Sequence, residues 1–309
     1  MKVLLHYHAG PRLEAELGAL STDGISVSWT PEGDEQALLA ALAETEALLH
    51  VLEPVTAERM DRAPKLRLIQ KLGVGVNTID LDAARERGIA VANMPGVNAT
   101  AVAEMTLGLL LAVLRRIPAL DRATREGTGW SRPPDPEQLG EVAGKTVGLI
   151  GYGDIARRFG TIVEAMGAAV IHHRRERDGE SVSLDELLAT SDIVAVHLPL
   201  TDETRDLLDR EHLELMKPGA ILLNTGRGGI VDEHALAQLL QSGHLTGAGL
   251  DVFAGEPVQT DSPLLALDNV VVTPHVAWLT GDTLIKCIRL GVDNARRVRA
   301  GHPIANRVV

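Results

Sequence analysis

Three side chains in the second half of the chain are of the types that proton transfer on an acidic substrate needs. Asn224-Thr-Gly-Arg227-Gly-Gly sets an arginine in a glycine-flanked loop. Asp251-Val-Phe-Ala-Gly-Glu256-Pro sets carboxylates just after an apolar run, and Thr273-Pro-His275-Val-Ala-Trp278 sets a histidine just after another. A guanidinium grips a carboxylate through two parallel hydrogen bonds. An imidazole can take the proton of a hydroxyl or return one to a carbonyl oxygen. A neighbouring carboxylate orients the ring and favours its protonated form. Arg227, Glu256 and His275 thus have the parts to interconvert a 2-hydroxy acid and a 2-keto acid. Each alone has a plainer reading: a loop arginine, a turn carboxylate before Pro257, a satisfied surface histidine.

Such chemistry needs a hydride carrier, and a glycine-rich turn offers it a seat. Thr146-Val-Gly-Leu-Ile-Gly151-Tyr152-Gly153-Asp154-Ile155-Ala156 reads as strand, tight turn and helix start. Gly151 permits the turn, Gly153 lets backbone approach a pyrophosphate, and Ala156 lets helix and strand pack closely. The N–H groups at the helix start, around Asp154 and Ile155, suit the phosphates. The next strand ends in His172-His173-Arg174-Arg175. An NAD site usually places an acidic residue there for the ribose 2′-hydroxyl. Arg174, with Arg175 and Arg177 close by, instead suits a 2′-phosphate by charge and fork geometry. NADP is the expected cofactor and NAD the alternative; a solvated basic loop is the plainer reading. His172 and His173 are consecutive in a strand and face opposite sides, so no shared metal is expected.

These loops need strand ends to carry them. The first third alternates apolar runs (Val3–His6, Ile25–Trp29, Ala47–Val51, Leu68–Leu72, Ile89–Ala92) with helical patterns such as Glu35–Ala43 and Leu81–Arg87. A long helix is expected over Ala99–Arg116; its small residues suit an interdomain helix or a subunit interface. Trp130, Pro133, Pro134 and Pro136 mark a loop before a second series: Thr146–Ile150, Ala169–His173, Ile193–Val196, Ala220–Asn224, Thr246–Leu250 and Val270–Val272. A last helix, Thr283–Ala300, is expected to return to the first domain. Strands alternating with helices predict an α/β protein of two doubly wound parallel-sheet domains.

Composition agrees. Aromatic residues are 2% of the 309, so the core is aliphatic, as buried parallel strands require. The net charge of −12 argues against a nucleic-acid partner. The single cysteine, Cys287, excludes an internal disulfide and reads as a buried thiol. Met1–His6 lack a signal-peptide pattern, and Met105–Leu114 is too short to span a bilayer, so a cytoplasmic protein without a membrane partner is expected.

Lys71-Leu-Gly-Val-Gly-Val-Asn77, Asn93-Met-Pro95, Ala103-Glu104, Gly148-Leu-Ile-Gly-Tyr-Gly153, His197-Leu-Pro199, Asn224-Thr-Gly-Arg227-Gly, Gly249-Leu-Asp251-Val-Phe and Pro274-His275 resemble the D-isomer-specific 2-hydroxyacid dehydrogenase family over nearly the whole chain. The resemblance implies a flavodoxin-like substrate domain, residues 1–98 plus 281–309, a Rossmann cofactor domain, residues 99–280, and a homodimer. It makes Arg227, Glu256 and His275 the catalytic trio. It sets Thr225, Gly226 and Asp251 near the nicotinamide and His197 and Pro199 near the adenosine. It gives the substrate carboxylate to the backbone of Val74, Gly75 and Val76. Lys71, just before that loop, reads as a surface lysine or a partner for extra negative charge on the substrate. Asn77-Thr78 replaces the family's frequent Asp-Asn. Trp278 resembles the family's glyoxylate and hydroxypyruvate reductases, as an aromatic wall or as interface packing.

The leading reading is NADPH-dependent reduction of glyoxylate or hydroxypyruvate. An NAD-linked dehydrogenase of phosphoglycerate or lactate comes second; the chain shows no appended regulatory domain, which weighs against phosphoglycerate. A dinucleotide-sensing corepressor comes third. We expect kcat/KM on one 2-keto acid to be higher with NADPH than with NADH; a clear preference for NADH would overturn the Arg174 reading.

Overall fold

Short runs of Val, Leu, Ile and Ala are buried on both faces here, as the inner strands of parallel sheets require. The computed structural model describes residues 1–131, 135–175 and 179–309, so Pro133, Pro134 and Arg177 lie outside the described residues. The chain forms two compact units: Met1–Asn98 with Leu279–Val309, and Ala99–Trp278.

The first unit alternates β1 (Lys2–His6), α1 (Pro11–Leu20), β2 (Ser26–Thr30), α2 (Glu35–Leu42), β3 (Ala47–His50), α3 (Ala57–Asp61), β4 (Leu68–Lys71), α4 (Leu81–Glu86) and β5 (Ala90–Ala92). The strands are parallel in the order β2-β1-β3-β4-β5, the flavodoxin-like arrangement. Asp34, Thr56 and Asp80 cap helix starts by accepting a backbone N–H three residues on. Leu4, Leu38, Leu48, Met60, Ile69 and Val91 share one core.

Lys71 is not a surface lysine. It lies at the end of an inner strand, is 7% exposed, and its Nζ donates to the Val51 carbonyl. An inner parallel strand buries both faces, so even its last residue is covered.

The C-terminal helix, Gly281–Ala300, lies against β3, β4 and α1. Buried Asn294 ties it down: Nδ2 donates to Gln70 Oε1 at 2.7 Å and to the Ala305 carbonyl at 3.1 Å, and Oδ1 accepts the Ala305 N–H at 2.9 Å. Gln70 Nε2 in turn reaches the carbonyls of Lys71, Ala92 and Asn93. Cys287 is buried on this helix, and burial pushes its thiol up to about 11.

The second unit runs through α5 (Ala99–Leu114), α6 (Ile117–Arg125), β6 (Thr146–Ile150), α7 (Asp154–Ala165), β7 (Ala169–His173), α8 (Leu184–Thr190), β8 (Ile193–Val196), α9 (Arg210–Leu215), β9 (Ile221–Asn224), α10 (Glu233–Gln241), β10 (Gly247–Leu250) and β11 (Val270–Val272). Its parallel sheet has the order β7-β6-β8-β9-β10-β11. The direction of winding reverses between β6 and β8, and such a reversal opens a crevice beyond the strands' carboxyl ends. Helix α5 packs on β9, β10, β11 and α7. Helix α6 had no counterpart in the sequence reading; its apolar side, Ala119, Leu120 and Ala123, is short and only half-buried. Among the described residues no helix is long and apolar enough to cross a membrane.

Replacing Asn294 with Ala strands Gln70 Oε1 and the Ala305 N–H in a buried place. The expected cost is roughly 2–4 kcal/mol of unfolding free energy. Urea unfolding followed by circular dichroism checks it; a loss under about 0.5 kcal/mol, the size typical of an ordinary surface change, would refute it.

Candidate active site

The glycine turn follows β6 at the reversal point. Gly151 has φ +89°, and a Cβ there would lie 2.9 Å from the His197 carbonyl oxygen, so only glycine fits without moving backbone. Gly153 is the N-cap of α7 and offers no capping side chain, which leaves the first-turn N–H groups to another acceptor. The Asp154 carboxylate is occupied by Arg157 at 2.7 Å, so Asp154 and Ile155 bring backbone rather than side chain to the turn. Ala156 is fully buried beneath it.

Tyr152 stacks on His172 with ring centroids 3.7 Å apart and planes 7° from parallel. His173 turns elsewhere, its Nδ1 meeting the Val182 carbonyl at 3.0 Å. Arg174 is half-buried at the end of β7, where its N–H donates to Ser181 Oγ. Arg175 is exposed and pairs with Glu203 at 3.3 Å. Across the reversal, His197 follows β8. Both its ring nitrogens are buried without a hydrogen-bond partner among the described residues, and burial pushes its pKa down to about 4, which keeps it neutral. Orphaned buried nitrogens are uncommon in a folded chain. Beside a bare glycine turn and an uncapped helix start, they fit a dinucleotide. Pro199 is exposed, and its carbonyl accepts from Thr204.

The loop after β9 is built by Asn224, whose part the sequence reading missed. Its Oδ1 accepts the Gly226 N–H and its Nδ2 donates to the Arg227 carbonyl, both at 3.0 Å. Asn followed two residues on by a free N–H is the signal that would have found it. Thr225 faces inward, with its hydroxyl 2.8 Å from that of Thr106 on α5. Arg227 is half-buried. Its Nη1 donates to the Gly226 carbonyl at 2.7 Å, and among the described residues no carboxylate lies within 4 Å of its guanidinium. Burial lowers its pKa, opposed by the charge of Glu256. A desolvated cation without an anion in contact is a costly arrangement unless a ligand supplies the anion.

Asp251, after β10, turns inward. Its carboxylate is 1% exposed and takes three donors: Thr273 Oγ1 at 2.6 Å, the Val276 N–H at 2.9 Å and the Ala277 N–H at 2.8 Å. Burial raises its pKa against those hydrogen bonds. It therefore shapes the turn that carries His275. His275 has φ +56°, the left-handed region that a non-glycine residue enters at a cost, and its own N–H bonds the Asp251 carbonyl at 2.8 Å.

Glu256 Oε2 lies 2.7 Å from His275 Nδ1, and its Oε1 accepts the Phe253 N–H at 3.1 Å. Burial works to raise the Glu256 carboxyl, but the His275 contact and charge, then the Phe253 N–H and Arg227, bring it below the usual value. With Nδ1 held, Nε2 is the ring atom left to meet a substrate. Trp278, at the end of the turn, is 8% exposed.

In the first unit, the Val74–Val76 loop follows β4 and Val74 is exposed. Asn93 Nδ2 donates to the Val74 carbonyl at 2.9 Å and the Met94 N–H to the Gly73 carbonyl at 2.8 Å, so two bonds fix its start. Among the described residues no cluster of three or more His, Cys, Asp or Glu could hold a metal ion.

Comparison with known proteins bears on the same segments. Residues 107–277 match the model of the D-isomer specific 2-hydroxyacid dehydrogenase, NAD binding domain. The D-3-phosphoglycerate dehydrogenase of Mycobacterium tuberculosis is 44% identical over 306 residues, 96% of this chain and 56% of that protein. This chain thus spans little more than half the length of that relative. The glyoxylate reductase of Aeropyrum pernix is 40% identical over 275 residues, 84% of this chain and 81% of that protein. The crystal structure of an NADPH-dependent glyoxylate/hydroxypyruvate reductase from Sinorhizobium meliloti, in complex with citrate, superposes with a TM-score of 0.85 at 30% identity, covering 100% of this chain and 97% of that one. With Gly151, Arg227, Glu256 and His275 all inside the matched segment, the chain belongs to the D-isomer specific 2-hydroxyacid dehydrogenase family.

Proposed function

We propose that this protein is an NADPH-dependent reductase of glyoxylate or hydroxypyruvate. The observation that carries the reading is the His275–Glu256 hydrogen bond at 2.7 Å beside a half-buried Arg227 that, among the described residues, has no carboxylate within 4 Å. When bound, the nicotinamide supplies a hydride to C2 of the keto acid.

The chain's own residues do the rest. Arg227 binds the substrate carboxylate, and its second N–H edge steadies the carbonyl oxygen as negative charge gathers there. His275 Nε2 gives its proton to that oxygen. Glu256 accepts from Nδ1–H throughout, which fixes the ring and stabilises the imidazolium before transfer. The spent imidazole regains a proton from solvent, and oxidation of the hydroxy acid runs the same steps backwards.

The cofactor's pyrophosphate is assigned to the Gly151–Gly153 turn and the N–H groups of Asp154 and Ile155. His197 and Pro199 are assigned to the adenosine side, Thr225 and Gly226 to the nicotinamide side, and Arg174 with Arg175 to a 2′-phosphate. Support for NADPH is the pair Arg174 and Arg175 just after β7, together with the NADPH dependence of the Sinorhizobium meliloti reductase. A homodimer, on the family resemblance, and a cytoplasmic setting, on the sequence pattern, remain part of the proposal.

A second reading, oxidation of D-3-phosphoglycerate, is favoured by the 44% identity to the mycobacterial enzyme. Lys71 bears on the choice, because its ammonium is already covered and bonded to the Val51 carbonyl. Initial rates with glyoxylate, hydroxypyruvate and phosphohydroxypyruvate, each with NADPH and NADH, separate the two. We expect the highest kcat/KM for glyoxylate or hydroxypyruvate; phosphohydroxypyruvate leading by tenfold would reverse the assignment. His275→Gln is expected to lower kcat by about 10²–10⁴-fold, the range for loss of a general acid. Full activity in that variant would end the mechanism.

A further inference from the structure

Two consecutive peptide groups, Val252–Phe253 and Phe253–Ala254, join the parts of the proposed site. The Phe253 N–H donates to Glu256 Oε1 at 3.1 Å. The Ala254 N–H donates to Glu233 Oε1 at 2.5 Å. The Phe253 carbonyl sits so close to Gly228 that a Cβ there would lie 1.8 Å from its oxygen, which puts the Arg227 loop directly against this peptide. A tilt of the Phe253–Ala254 peptide therefore moves the chain next to Arg227 and, through the shared Phe253 Cα, the adjoining N–H that holds Glu256.

Of these holds, Glu233 is the one anchored on a helix. It is the first residue of α10, behind the N-cap Asp232, whose Oδ1 accepts the N–H groups of His234 and Ala235. The helix is packed into the core through Ala235, Leu236, Leu239 and Leu240. A carboxylate in the first turn also meets the positive end of the helix dipole. The acceptor facing Ala254 thus stands on a rigid base, while residues 254–257 are exposed. Burial, and the charges of Glu256 and Asp232, push the Glu233 carboxyl above its usual value, opposed by the Ala254 N–H. The chain keeps an acidic group in an unfavourable place, where the hydrogen bond is its visible return.

We propose that Glu233 is a positioning residue that braces the Phe253–Ala254 peptide, so that Glu256 meets His275 and the Arg227 loop keeps its seat. The inference rests on the roles proposed above for Arg227, Glu256 and His275. A brace needs an acceptor oxygen at the right reach, and it does not need a negative charge. Glu233→Gln keeps the oxygen and drops the charge. Glu233→Asp keeps the charge and draws the oxygen back by one methylene. Glu233→Ala removes both.

Two measurements test this on the full chain. Steady-state kinetics should show kcat lowered about 10–100-fold in the Asp and Ala variants, KM for the keto acid raised as the Arg227 loop shifts, and the Gln variant within about threefold on both; these ranges correspond to loss of one positioning contact. Native-state amide exchange should show the Ala254 N–H protected in the wild type and the Gln variant, and exchanging at least tenfold faster in the Asp and Ala variants. A wild-type kcat in the Asp variant, or a Gln variant as impaired as Ala, overturns the brace. The exchange arm needs no substrate. If no 2-keto acid is turned over, the functional reading fails on its own, and unchanged Ala254 exchange in the Asp and Ala variants would still refute the brace.

Discussion

A buried carboxylate fixes the geometry on which the proposed chemistry depends. Asp251 sits at the end of an inner strand with its charge withdrawn from water, and it gathers a hydroxyl and two backbone N–H groups from the chain following β11. Those bonds stabilise a turn in which His275 takes a left-handed backbone conformation. Charge-assisted hydrogen bonds are roughly twice as strong as neutral ones, and three of them work against the cost of burial and of the local strain. The imidazole emerges with one nitrogen facing Glu256. Removing that buried anion would leave the turn free to relax.

The electrostatics work by contrast with the whole molecule. The protein carries a net charge of −12, which would repel an organic acid at long range. Within about a Debye length, roughly 8 Å at physiological salt, local groups dominate instead. Arg227 is half-buried and, among the described residues, has no carboxylate within 4 Å, so its charge is left to favour an incoming anion. Glu256 is committed to His275, a contact that lowers its proton affinity despite its burial. The two acidic residues beside the cationic site, Glu233 and Glu256, are thereby driven in opposite directions, as happens where neighbouring groups have different tasks.

Both units show the same solution to a shared constraint. Parallel strands need crossovers, and the crossover helices bury both faces of the sheet. The carboxyl edge is then the place left for polar loops. In the second unit that edge holds the Gly151 turn, His197, the Arg227 loop, Asp251 and His275, from β6 to β11. These five segments lie within a span of 125 residues, and the sheet alone brings them to one side.

Much of this was written in the residue pattern. Apolar runs alternating with helical patterns marked the eleven strands of the described residues to within a residue or so, because inner parallel strands are apolar throughout. The same periodicity passed over α6, whose apolar side is short and only half-buried, and gave no sheet order, because order depends on which strands pair rather than on any strand's composition. Among the proposed site residues, Arg227, Glu256, His275 and Gly151 were legible because they stood in short polar or glycine-rich segments just after apolar runs. Asn224, Thr106 and Glu233 were not, since Asn, Thr and Glu are common and only their partners mark them out. Lys71 read as exposed because lysine usually is; the covering of the sheet decided otherwise. Asp251 read as a cofactor contact, while the tertiary structure spends both its oxygens within the chain. The sequence by itself determined which chemical groups the protein owns and on which strand ends they ride. The tertiary structure decided which way each group faces and what already satisfies it, because burial and hydrogen bonding depend on neighbours that lie far apart along the chain.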